Sequence, residues 1–173
     1  MSLARAEALI RDVPDFPKPG IVFKDIAPML QDGPSLRAVN QALSEQIAAL
    51  KPDLVAGVES RGFLFAPPVA EALGIGMVMI RKPGKLPFTT VRQEYALEYG
   101  TDVIEMHVDA VSPGQRVVIV DDVLATGGTA AAAGALVASQ GAVVVGYAFA
   151  VELAFLAGRE RLGDAPVVSL FSY

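Results

Sequence analysis

The chain has 173 residues, 53% of them hydrophobic and 19% charged, with no cysteine and a formal net charge of −5. That is long enough for one domain with a substantial core, and it excludes a disulfide scaffold, cysteine-ligated zinc and thiolate catalysis. An acidic balance with no basic arm argues against general nucleic-acid binding, where neutralising phosphates supplies most of the affinity.

The N-terminus, "MSLARAEALIRDVP", carries charges throughout and lacks the apolar centre of a signal peptide. Together with the missing cysteines, this fits a reducing, cytoplasmic setting. Helical spacing covers about 3–11, and the stretch "DVPDFPKPGIVFKDIAPML" that follows is proline-rich yet apolar, so it is expected to pack over something. A second helix is predicted over Ser35–Leu50, a strand over Leu54–Val58, a helix over Gly62–Leu73 and a strand over Met77–Ile80. The pattern then changes to a basic Gly/Pro loop followed by the alternating residues of an antiparallel excursion. Beyond it come a strand at Val117–Val120, a helix at Gly128–Ser139, a strand at Val143–Val151, a less regular helix at Leu153–Leu162 and a short strand at Val167–Leu170. Strands alternating with helices predict an α/β fold, with a mostly parallel central sheet covered on both faces. The run from Val123 to Val151 has no charged residue, but Thr126-Gly127-Gly128-Thr129 and Ser139-Gln140-Gly141 interrupt it, against a membrane span. In such sheets ligands bind where strands end.

The densest chemistry lies in "VVIVDDVLATGGTAAAA", 117–133. Asp121 and Asp122 follow an apolar strand, and Ala125, Thr126, Gly127, Gly128 and Thr129 form a turn that opens a helix. Two glycines let backbone N–H groups converge, and the helix N-terminus adds partial positive charge, so the turn suits a phosphomonoester. It is neither a Walker A loop, which requires a lysine, nor a dinucleotide fingerprint. The carboxylates suit vicinal hydroxyls, a metal or a developing cation, and a ribose 5-phosphate offers all of these in one molecule. The bland alternative for a lone Asp-Asp is N-capping and surface acidity.

Other stretches carry weaker signals. In "GVESRGF" (57–63), Arg61 and nearby N–H groups can hold an anion at a strand end, or Glu59 and Arg61 can be a surface pair with Ser60 as a helix cap. "IRKPGKLP" places Arg81, Lys82 and Lys85 within five residues, either a solvated loop or, beside a phosphate site, a pyrophosphate clamp. Gly84 and the flanking prolines suit a lid. In "GIVFKD", Val22 and Phe23 offer an apolar slot and backbone groups around Lys24 an edge to read, though the same residues would also serve as a hydrophobic plug. His107, the one histidine, sits among alternating residues and reads as a strand-face residue rather than a catalyst. No acidic or histidine cluster points to a tight protein-made metal site; Mg²⁺ keeps waters and binds mainly through substrate phosphates.

A hydrophobic strand, Asp-Asp, two residues and then Ala-Thr-Gly-Gly-Thr resembles the phosphoribosyl-pyrophosphate (PRPP) motif of type I phosphoribosyltransferases. Six stretches in order, "FPKPGIVFKDIAPML", "VESRGFLFAPPVAEALG", "IRKPGKLP", "YALEYG", "DVLATGGT" and "VELAFLAGRERL", extend the resemblance to the adenine-using branch over about 11–173. The resemblance implies that family's fold, as a single domain over 1–173 with a small N-terminal hood (1–34) and an antiparallel lid region (81–100). It implies transfer of phosphoribose from PRPP to adenine, giving AMP and pyrophosphate, with Mg²⁺ bound through PRPP, in a cytoplasmic homodimer. Asp121 and Asp122 would bind the ribose diol, Ala125 to Thr129 the 5-phosphate. Glu59, Ser60 and Arg61 would form a pyrophosphate loop with an unusual peptide near Glu59-Ser60, helped by Arg81, Lys82 and Lys85. Some members carry another basic residue where this chain has Pro83. Glu98 would be the acid/base near the purine, Tyr99 part of the lid, and Val22, Phe23, Lys24 and Leu153 the adenine site. Two alternatives stay open: a phosphoribosyltransferase for another base, and a PRPP-sensing regulator, which should carry a nucleic-acid-binding region.

Overall fold

The computed structural model describes residues 3–96 and 100–173. They fall into two compact units, Met1–Ala42 and Leu43–Tyr173.

In the first unit, helix α1 (Leu3–Ala8) precedes an antiparallel hairpin of β1 (Arg11–Pro14) and β2 (Val22–Asp25). The helix is shorter than its spacing predicts because Arg11 pairs with Asp25 across the hairpin, by register and by an ion pair. The connection between the strands turns at Asp15 (φ 56°), whose carboxylate accepts the Gly20 N–H at 2.8 Å. Phe16 stacks edge-on against Phe23 with ring centroids 5.2 Å apart. The proline-rich stretch is therefore ordered by a hairpin and its own aromatic pair. Helix α2 (Ala27–Gln31) follows, then α3 (Gly33–Ala48), whose last residues belong to the second unit. Asp32 accepts the backbone N–H and hydroxyl of Ser35 and an ion pair from Arg5, which fixes the start of α3.

The second unit is built on a five-stranded sheet in which every neighbouring pair is parallel: β4 (Gly76–Ile80), β3 (Leu54–Val58), β7 (Arg116–Leu124), β8 (Val143–Glu152), β9 (Val167–Ser172), in that spatial order. Helices α4 (Ala66–Leu73) and α5 (Gly128–Ser139) supply the crossovers that parallel pairs require. All of Val117 to Val120 is inaccessible to solvent, which explains the continuous β-branched run. Between β4 and β7, β5 (Thr90–Ala96) and β6 (Thr101–His107) form the expected antiparallel excursion, joined to the end of β4 by a bridge between Arg81 and Glu105.

Two predicted helices are broken. The one expected over Gly62–Leu73 is a 3₁₀ turn (Arg61–Leu64) followed by α4, because Pro67 and Pro68 lack N–H groups and sit only in a first turn. The irregular helix expected over Leu153–Leu162 is two 3₁₀ turns, Ala154–Leu156 and Gly158–Arg161, separated by Ala157 at φ 52°. The uncharged run 123–151 divides into the end of β7, α5 and β8, and no helix among the described residues is long and apolar enough to cross a membrane.

Helix α5 lies unusually close to β8. A Cβ on Gly134 would stand 2.1 Å from the Tyr147 hydroxyl oxygen. Gly→Ala inside a helix ordinarily stabilises by up to about 1 kcal/mol. Here Gly134→Ala is expected to destabilise by about 1–3 kcal/mol in urea unfolding, and adding Tyr147→Phe, which removes the nearest atom, should recover part of the loss.

Candidate active site

The sheet order places β3 and β7 at its switch point: the chain leaves β3 for β4 on one side and leaves β7 for β8 on the other. The crevice between such strand ends is where open α/β sheets take ligands. Strand β7 is longer than the apolar run predicts. It pairs with β3 only as far as Val120, opposite Gly57, but stays paired with β8 to Leu124, opposite Glu152. Asp121 and Asp122 therefore sit within β7, beyond its last β3 partner, rather than just after the strand.

The turn that follows β3 folds over this exposed flank. A Cβ on Gly62 would meet the Val120 carbonyl oxygen at 2.7 Å and Asp121 Oδ1 at 3.2 Å, so only glycine admits the approach. Arg61 Nε donates to Asp122 Oδ2, and the Asp122 N–H donates to Asp121 Oδ1 at 2.8 Å. Asp122 is 3% exposed. Desolvation, and after it repulsion from Asp122, pushes the Asp121 carboxyl well above the usual carboxylate range, against the pull of Arg61. Asp122 is thus held by a cation, while burial and its neighbour's charge both disfavour the charged form of Asp121.

Directly downstream lies the glycine turn. Gly127 adopts φ 81°, and α5 begins at Gly128. The turn is backed by a second glycine: a Cβ on Gly127 would lie 2.3 Å from the Gly158 carbonyl oxygen, and one on Gly158 would lie 2.2 Å from that of Ala125. Glu152 fixes the backing segment, accepting two N–H groups of Arg159 and the Ser169 hydroxyl, each at 2.6 Å. The Arg159 bonds, helped by the Ser169 hydroxyl, outweigh desolvation, which works the other way, and hold Glu152 below its ordinary pKa. The sequence signals this support only as "VELAFLAGRERL"; the contact between Gly158 and the turn spans too many residues to be read from spacing. Leu153, in the same segment, is buried.

The basic loop after β4 converges on Glu59. Its carboxylate accepts Lys85 Nζ at 2.5 Å, the Lys82 N–H at 2.9 Å and Arg81 Nε at 3.2 Å. Glu59, expected among pyrophosphate-binding groups, thus gathers the cations with its side chain; its peptide to the exposed Ser60 is cis. Desolvation alone would raise the Glu59 pKa, but Lys85, the Lys82 amide and Arg81 outweigh it and bring it to about 2. Lys82 Nζ pairs with Asp102 and bonds Tyr95, and buried Glu105 accepts the Gly84 N–H at 3.1 Å and Arg92 Nη2 at 2.8 Å. Tyr95, Asp102 and Glu105 were not foreseen from sequence.

Glu98 and Tyr99 lie outside the described residues. In the first unit, Val22 is exposed on β2, Phe23 holds the Phe16 contact and Lys24 pairs with Asp12 at 2.6 Å. His107 Nε2 accepts the Phe88 N–H at 3.3 Å at the end of β6, a strand-face role as expected. No group of three or more His, Cys, Asp or Glu side chains among the described residues is placed to hold a metal ion. With Asp122 already engaged by Arg61, the donor set fits Mg²⁺ carried on phosphate oxygens and water.

A family model described as "Phosphoribosyl transferase domain" matches residues 28–171. The chain belongs to the phosphoribosyltransferase family. Within that family it is 58% identical over 166 residues, 96% of each chain, to the adenine phosphoribosyltransferase of Anaeromyxobacter dehalogenans. Its fold matches the crystal structure of adenine phosphoribosyltransferase from Thermoanaerobacter pseudethanolicus with TM-score 0.96 at 50% identity, covering 99% of this chain and 100% of that one. The Saccharomyces cerevisiae enzyme, solved with adenine and an imino-altritol bisphosphate, matches with TM-score 0.90 at 42% identity, covering 97% of each chain.

The Glu59 cluster gives a pH signature. A carboxyl whose folded pKa lies below its unfolded value, near 4.5, contributes stability that is complete above pH 4.5 and fades as pH falls towards about 2. Urea midpoints of the protein and of Glu59→Gln should therefore differ most at neutral pH and converge from pH 4.5 downward. A gap that widens on acidification would contradict the assignment.

Proposed function

We propose that this chain transfers the 5-phosphoribosyl group of PRPP to adenine, forming AMP and releasing pyrophosphate, as purine salvage requires. The observation that carries the reading is the join of the Asp121–Asp122 pair to the Gly127–Gly128 turn at the switch point, in a chain similar over nearly its full length to adenine phosphoribosyltransferases.

On this reading Asp121 and Asp122 hold the ribose 2- and 3-hydroxyls and offset the positive charge that develops at C1 as the bond to pyrophosphate breaks. Backbone N–H groups from Ala125 to Thr129 and the hydroxyls of Thr126 and Thr129 hold the 5-phosphate at the start of α5. Arg61 and the Arg81, Lys82 and Lys85 cations receive the departing pyrophosphate. Arg81 and Lys85 leave the shared Glu59 carboxylate to do so, and charge-assisted bonds to phosphate replace those to Glu59. Mg²⁺, bound with PRPP, would neutralise phosphate charge. Glu98 is assigned the purine proton, and Val22, Phe23, Lys24 and Leu153 the base contacts; Tyr99 belongs to the lid. These assignments rest on the family resemblance, as do a single domain over 1–173 with a hood at 1–34 and a lid at 81–100, a homodimeric assembly and a cytoplasmic location. Positioning and charge stabilisation carry the catalysis, with no covalent enzyme intermediate.

Turnover of PRPP with adenine, hypoxanthine and guanine, each with and without Mg²⁺, tests the reading. Adenine should lead the 6-oxopurines by at least about 100-fold in kcat/KM, since a site built to accept a hydrogen bond from the 6-amino group leaves a polar group unpaired opposite an oxo group. Preference for hypoxanthine or guanine would reassign the base. Asp122→Asn should lower kcat/KM for PRPP by about 100-fold or more while leaving the protein folded by circular dichroism.

A further inference from the structure

The phenol of Tyr95 occupies a junction that the chemistry above does not use. Its hydroxyl has one proton to give and two lone pairs to fill, and all three positions are taken. It donates to Asp102 Oδ2 at 3.1 Å, accepts from Lys82 Nζ at 3.1 Å, and accepts from Thr129 Oγ1 at 3.4 Å. The Lys82 ammonium also stands over the Tyr95 ring, 5.6 Å from its centroid, and is ion-paired with Asp102. Desolvation works against the charge on Lys82, yet Asp102 and Tyr95 outweigh it and raise its pKa. The lysine is therefore held as a cation.

Two of these partners belong to different parts of the proposed site. Lys82 is on the basic loop, and Thr129 is the last residue of the 5-phosphate turn. The basic loop is fastened to β6 through Glu105, which takes the Gly84 N–H and whose backbone bridges Arg81. That fastening sets the loop relative to the hairpin but does not reach the phosphate turn. Tyr95, on the other strand of the hairpin, does. The end of the strand also lies near this turn: a Cβ on Gly128 would make ordinary contacts, 3.9 Å from the Tyr95 ring and 3.7 Å from the Ala96 carbonyl oxygen.

We infer that Tyr95 is a positioning residue that sets Lys82 beside the 5-phosphate turn, so that one substrate molecule meets its pyrophosphate cation and its 5-phosphate cradle at a fixed separation. The 3.4 Å bond is the longest of the three and the one a phosphate oxygen replaces, freeing the Thr129 proton for the ligand while Tyr95 keeps its bonds to Lys82 and Asp102. Holding the cation before substrate arrives removes ordering cost from PRPP binding, not from adenine binding. This inference rests on the proposed phosphoribosyl transfer.

Tyr95→Phe keeps the ring and removes the one oxygen, so it tests the junction directly. With the unaltered protein active on adenine and PRPP, the variant should raise KM for PRPP by about tenfold, the loss expected for one hydrogen bond to a charged group. KM for adenine should stay within about twofold and the thermal midpoint within a few degrees. In a Lys82→Met background the same substitution should cost about threefold or less, because its effect passes through that lysine. Unchanged KM for PRPP, equal rises in both KM values, or full additivity with Lys82→Met would each overturn the inference. A lack of turnover in the unaltered protein would instead sink the phosphoribosyl-transfer reading itself.

Discussion

The site depends on one mismatch in strand length. Strand β7 keeps its β8 partner after β3 has stopped, and the flank so exposed carries Asp121 and Asp122. Had β3 continued, its ladder would occupy the backbone edge at Asp121 and Asp122 that the Arg61–Leu64 turn now meets. Because β3 instead turns back at Gly62, Arg61 is brought against Asp122, and the chain reaches the glycine turn with both carboxylates already placed. Gly127 and Gly158 then complete the cradle by bringing two backbones within a distance that no side chain tolerates.

A second consequence is electrostatic. In this structure Arg61 is paired with Asp122, Arg81 and Lys85 with Glu59, and Lys82 with Asp102. On the proposed reading, a phosphate-rich substrate would displace these carboxylates with better-matched bonds, making PRPP binding an exchange of ion pairs rather than the filling of bare positive charge.

Much of this was legible in the sequence because the chemistry is local. The β-branched run, the Asp-Asp pair and the glycine turn lie within one short stretch, and each has a physical meaning at its own position. The alternation of strands and helices gave the parallel sheet, and the loss of that pattern after Ile80 gave the antiparallel hairpin. What could not be read was set by partners far along the chain. The extension of β7 to Leu124 depends on the length of β8, and the broken helix after Leu153 depends on Glu152 gripping Arg159 and Ser169. From its neighbours Glu59 read as a surface partner of Arg61, and the resemblance put it in a pyrophosphate loop; only the fold brings Arg81 and Lys85 to its carboxylate. Tyr95 opens the stretch "YALEYG" that carries the family resemblance, but nothing in its spacing pointed to Lys82 or Thr129.

The central claim is a division of labour: carboxylates and glycine turn for the ribose 5-phosphate, basic loop for the pyrophosphate. Calorimetric titration of the two ligands separately into the protein and into Gly127→Ala tests it most directly, since the added Cβ strains the turn without touching the basic loop. Ribose 5-phosphate should lose at least about tenfold in affinity while pyrophosphate stays within about twofold. Equal losses for both ligands, or an unaltered ribose 5-phosphate affinity, would contradict the division.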